Sequence, residues 1–148
     1  MKSILNPTDN AEFIERINKL TPGAPALWGK MNVSQMLVHC QVITKIALGE
    51  LTPKKNLFGL LFGRIAKKKL LEEKDFKRNL PTLSEAKIKG DRNFDTEKLG
   101  LINDVKKFTA GPDVLSKKPH PFFGPLTVDE WDQLQTKHLD HHLKQFGV

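Results

Sequence analysis

The chain has 148 residues, 39% apolar and 28% charged, a composition that fits one compact globular domain over residues 1–148 and argues against wholesale disorder. Its single cysteine, Cys40, excludes an intrachain disulfide, and no run approaches the roughly 18 apolar residues of a membrane span. A net charge of +7 raises nucleic acid or an anionic surface as a partner, so the placement of the basic residues matters.

The opening MKSILNPTDN has no apolar core of the signal-peptide kind, and the expected location is cytoplasmic. Asn6-Pro7 predicts a helix start, with Asn6 as N-cap and Pro7 in the first turn. Phe13, Ile14, Ile17 and Leu20 follow at helical spacing until TPGAP (21–25) stops the helix. A second helix begins at Asn32, where Gln35 completes a capping box and Met31 can staple to Met36. Met36, Leu37, Cys40, Ile43 and Ala47 share one face, and Gly49 suits the position after the helix end. This helix is apolar round most of its circumference and should be deeply packed.

Between Leu51 and Gly90 the pattern weakens. LFGLLFGRIAKKKLLEE is interrupted by two glycines; it fits a bundle element or lid with solvated lysines better than a basic membrane-surface helix. The basic residues concentrate between Lys54 and Lys89, but Glu72, Glu73, Asp75 and Glu85 stand among them. With no nucleic-acid motif and no tyrosine to stack on bases, a solvated face is expected, with neither nucleic acid nor membrane as partner. NLPTLSEAKIKG predicts an extended or irregular connection, since Pro81 disfavours helix at Leu80. A further helix is expected from about Asp95 to Phe108 through Leu101, Ile102 and Val105. A proline-rich loop, GPDVLSKKPHPFFGPLT, then leads to Thr127. Thr127 with Glu130 forms a second capping box, Leu126 can staple to Trp131, and the last helix should run to Phe146. Long helices without alternating strand patterns predict an all-α antiparallel bundle.

Five histidines occur, three of them within residues 138–142. Residues four apart on a helix differ by about 40° around the axis, so His138 and His142 share a face. That face lies inside the apolar arc of Trp131, Leu134, Leu139, Leu143 and Phe146, with His141 at its edge. His39 on the second helix also faces packing. It lies about 10 Å along that helix from Asn32, and His142 lies a similar distance from the chain's end. Antiparallel helices would bring the three imidazoles level. Such a set suits a borderline divalent cation, Zn²⁺ or Ni²⁺, with an open position for water or substrate. The alternative is a pair of hydrogen-bonded core histidines. Cys40 points about 100° away from His39, as a buried structural thiol rather than a nucleophile. Asn32 and Gln35 lie on the His39 side but are already engaged in capping. His120, between two prolines, either covers the site or decorates a surface turn, and Trp28 and Trp131 are expected in the core.

HLDHHLKQ (138–145) resembles the H-x-x-H-H-x-x-Q pattern near the end of DinB-like proteins, a superfamily that includes bacillithiol and other thiol S-transferases. SQMLVHC resembles its second-helix segment with a lone histidine. Together with WGKMNVSQMLVHC and HPFFGPLTVDEW, the whole chain is similar to a branch of unknown function. The resemblance implies a four-helix bundle with a long central connection and a divalent metal held by His39, His138 and His142, with His141 at a non-ligand position. It also implies a small-molecule substrate and a low-molecular-weight thiol, and it admits a homodimer. Leu143-Lys144 depart from the small pair, often Arg-Gly, that follows the double histidine in many members. That departure bears on substrate and thiol more than on metal.

Overall fold

A computed structural model describes residues 2–54, 57–72 and 75–148. They form five α-helices: α1 (Pro7–Lys19), α2 (Val33–Ala47), α3 (Leu57–Glu72), α4 (Phe94–Lys107) and α5 (Val128–Gln145). Short 3₁₀ turns occupy Ser84–Ala86, Phe108–Ala110 and Pro112–Val114. Among the described residues there is no strand, only an isolated bridge between His120 and Gly124, so the protein is all-α.

Local chemistry sets the helix ends. The Asn6 side chain accepts from the Thr8 and Asp9 amides with Pro7 in the first turn, and Asn93 caps α4 through Thr96. Full capping boxes, Asn32 with Gln35 and Thr127 with Glu130, open α2 and α5. Each cap is worth about 1 kcal/mol because it satisfies amides that the first turn leaves unpaired. Gly49, at φ +73°, ends α2 in a Schellman motif: its amide bonds Ile46 O while Glu50 N reaches back to Lys45 O.

The helices α1, α2, α4 and α5 share one core. Phe13, Ile17, Met36, Leu37, Cys40, Leu101, Val105, Phe108 and Leu143 are all essentially inaccessible within it. Full burial of such side chains stabilises the fold by about 1.5–3 kcal/mol each. The start of the chain is tied to the last helix: Ile4 is buried and its amide donates to Asp132 Oδ1 and Thr136 Oγ1, both at 2.9 Å. At the other end, Arg16 on α1 pairs with Asp140 at 2.8 Å and donates to Val148 O. The end of α2 lies beside the start of α5, because Ser116 donates to Ala47 O and shares a surface cavity with Trp131. The two helices therefore run antiparallel.

The segment that reads as interrupted by glycines is helix α3, and its glycines are its contact face. A Cβ on Gly59 would stand 2.6 Å from Phe122 O, and one on Gly63 would collide with the same carbonyl. Lys67 pairs with Glu130 at 2.8 Å, and Lys137 of α5 donates to the terminal carbonyls of Leu70 and Leu71. On the opposite side of α3, Leu61, Phe62 and Ile65 are exposed. Glu73, one of the acids expected to offset the basic stretch, lies outside the described residues. No described helix is long and apolar enough to cross a membrane.

Candidate metal centre

His39 sits two turns into α2, and His138 and His142 sit one turn apart near the end of α5. The antiparallel packing brings them together, with ring centroids 5.0 Å apart for His39–His138, 4.6 Å for His39–His142 and 4.7 Å for His138–His142. One ring nitrogen from each lies within 4.8 Å of the others. The three residues read from the sequence as a set are thus a set in space.

Hydrogen bonds decide which nitrogen each ring presents. His39 Nδ1 lies 2.8 Å from Ala86 O, and a carbonyl only accepts, so Nδ1 carries the proton and Nε2 is bare. The same logic reaches His142 through Gln145. The Gln145 Nε2 amide donates to Trp28 O at 2.7 Å, which turns its Oε1 toward His142 Nδ1 at 2.8 Å. An amide oxygen accepts, so His142 also presents a bare Nε2. His138 Nε2 approaches His39 Nε2 at 3.0 Å. Either His138 donates a proton across that gap, or both lone pairs face a common cation.

The donor set fits a metal. Around a tetrahedral ion with bonds of about 2.0–2.1 Å, neighbouring nitrogens stand roughly 3.3–3.4 Å apart, close to the observed spacing of the nearest pair. Ligating histidines characteristically donate their second N–H to a carbonyl or an amide, as His39 and His142 do. Burial lowers the pKa of His39 despite the opposing bond to Ala86, takes His142 down to about 3, and holds His138 well below the ordinary value with help from its neighbouring histidines. All three are neutral imidazoles at pH 7, the state ligation requires.

Around this cluster lies a rim that sequence periodicity does not reveal. Trp28, expected in the core, is only partly buried, and its ring lies 5.4 Å from that of His141. Phe76 lies 6.0 Å from His141 and 6.5 Å from His138. The Arg78 guanidinium stacks over Trp28 at 4.4 Å. His141 stands beside His142 without joining the three-histidine cluster, its pKa lowered mainly by burial. Gly29 makes the approach of this loop workable: it has φ +81°, and a Cβ there would meet Gln145 Nε2 at 2.7 Å. Phe76 and Arg78 lie in no motif visible in the sequence, and the role of Gln145, which does, depends on where Trp28 sits.

The remaining candidates fall elsewhere. Cys40 is fully buried with Sγ on Met36 Sδ at 3.6 Å, and burial pushes its thiol far up, so it is structural. Asn32 and Gln35 serve the cap, and Gln35 also donates to Gly90 O. His120 neither covers the cluster nor decorates the surface. It is buried against Phe123 and Trp131, seven residues or about 10 Å before His138 on α5, and its Nδ1 accepts from the Phe122 and Phe123 amides. Trp131 is in the core as expected.

Fold and site together define an all-helical protein with a three-histidine cluster, His39 and His142 buried and His138 half-buried, able to hold a metal ion. The chain belongs to the family described as "Protein of unknown function (DUF1569)", whose model matches residues 2–147. No curated protein and no solved structure matches it.

Proposed function

We propose that the protein is a metal-dependent enzyme of the DinB-like, thiol-transferase-related type, its core a four-helix bundle of α1, α2, α4 and α5. His39, His138 and His142 would hold one divalent ion, Zn²⁺ or Ni²⁺. The observation that carries this reading is the pair of Nδ1–H bonds to Ala86 O and Gln145 Oε1, which leaves two bare Nε2 atoms converging on His138. When bound, a divalent ion with three protein ligands supplies Lewis acidity and lowers the pKa of a thiol or water in its open position. The chain's own residues do the rest. Ala86 and Gln145 hold the imidazoles in the ligating tautomer, while Trp28 and Phe76 shield the cluster and offer an apolar wall to a small electrophile.

Elemental analysis after reconstitution tests the ligand set. Wild type and His141→Ala should hold about one ion per chain, and His39→Ala, His138→Ala and His142→Ala should not. Full binding by His138→Ala overturns it. The 3.0 Å separation of His39 Nε2 and His138 Nε2 favours a second reading, a non-catalytic bundle stabilised by a closed histidine network or buried ion. Titrating cobalt-substituted protein with biological thiols separates the two. A thiolate-to-cobalt absorption that vanishes in His142→Ala supports the enzyme, and a slowly exchanging ion blind to every thiol supports the structural site.

A further inference from the structure

We propose, given the metal-centre reading above, that Arg78 makes this site selective for small molecules bearing a carboxylate or similar oxyanion. Arg78 lies at the rim of the cluster: its guanidinium is 4.4 Å from the Trp28 ring, Trp28 is 5.4 Å from His141, and His141 is 5.1 Å from His142. A guanidinium held over a tryptophan ring by cation–π attraction keeps N–H donors for an oxyanion, which it can grip with two parallel bonds.

Asp75, three residues before Arg78, pairs with Lys144 at 3.0 Å, and Asp140, next to His141 in the chain, pairs with Arg16 at 2.8 Å and Lys144 at 2.7 Å. No carboxylate bonds Arg78 among the described residues. A cation with no carboxylate partner among the described residues, held over an aromatic ring and linked through Trp28 and His141 to a candidate metal ligand, is placed to receive charge from a ligand.

The backbone supports this placement. Asn79 adopts φ +59°, the left-handed conformation that asparagine tolerates better than most residues, and so turns the chain immediately after Arg78. Phe76, two residues earlier, packs toward His138 and His141. Residues 76–79 thus bring one apolar and one cationic group to the same side of the cluster. The half-buried rings of Phe76 and Trp28 put apolar surface on the cluster side of the exposed Arg78, which strengthens its pull on an anion lying between them. The favoured ligand is therefore a small thiol or electrophile whose reacting atom reaches the histidines while an oxyanion a few bonds away meets Arg78.

The test uses the cobalt-reconstituted full chain and two thiols of matched length, 3-mercaptopropionate and neutral 3-mercapto-1-propanol, with binding followed by thiolate-to-cobalt absorption. Wild type should bind the carboxylate about tenfold more tightly or better, as a charge-assisted pair predicts. Arg78→Gln should bring the ratio close to one, with cobalt content and affinity for the neutral thiol unchanged within about twofold. Arg78→Lys should restore only part of the ratio. A wild-type ratio near one, a ratio that survives Arg78→Gln, or binding of neither thiol to cobalt-loaded protein overturns the role of Arg78 and leaves the metal ligands standing. Failure of wild type to load cobalt overturns the metal centre and this selectivity together.

Discussion

Replacing Gln145 with leucine is expected to weaken metal binding without touching a ligand. Gln145 is almost fully buried and holds two groups at once: Oε1 accepts from His142 Nδ1 at 2.8 Å, and Nε2 donates to Trp28 O at 2.7 Å. Leucine matches its bulk but orphans both partners. Each buried polar group left unpaired costs about 1–3 kcal/mol, so the metal-free variant should lose about 2–6 kcal/mol of stability. His142 would also be free to place its proton on Nε2, the atom that must be bare to ligate. Loss of such a supporting bond typically lowers metal affinity by about 10–100-fold. Gln145→Glu is the control, because its carboxylate still accepts from His142 Nδ1. It should keep affinity near or above wild type while losing stability against the Trp28 carbonyl. Competition with a chromophoric chelator at pH 7.5 measures affinity, and urea unfolding of the metal-free proteins measures stability. A Gln145→Leu affinity within twofold of wild type would refute the tautomer argument, whatever its stability.

Three further outcomes follow from single contacts. Gly29→Ala adds a methyl 2.7 Å from Gln145 Nε2 at a φ of +81°, and should cost about 1–3 kcal/mol in urea unfolding and loosen metal binding by displacing Gln145. Gly63→Ala drives a methyl into the Phe122 carbonyl and should part α3 from the 120–124 loop; hydrogen exchange should quicken in α3 well before α2. His120 has a folded pKa near 4 because it is buried, against about 6.5 unfolded, so the unfolded chain binds the extra proton between those values. Stability from this group is complete above about pH 6.5 and falls toward pH 4 by about 1.4 kcal/mol per pH unit. In His120→Asn the amide oxygen can stand in for Nδ1, and that share of the slope should vanish; coincident pH slopes for the two proteins would count against a buried neutral histidine.

Helix starts at Asn6, Asn32 and Thr127 were legible in the residues because a cap acts over three positions of one chain segment. The shared face of His138 and His142 was legible for the same reason, since helical geometry makes neighbours of residues four apart. His39 could be added because depth along two antiparallel helices follows from rise per residue alone. The rim escaped that logic. Trp28 could be assigned to the core by size, yet it stands beside His141 because Gln145 draws its carbonyl in from the other end of the sequence. α3 looked broken by Gly59 and Gly63 because nothing local announces that the Phe122 backbone will press against them. His120 looked like a turn residue until Trp131 and Phe123 closed over it. Periodicity encodes which way a side chain points from its own helix. Which carbonyl, ring or cation meets it there depends on contacts between segments far apart in the chain, and those exist only once the chain has packed.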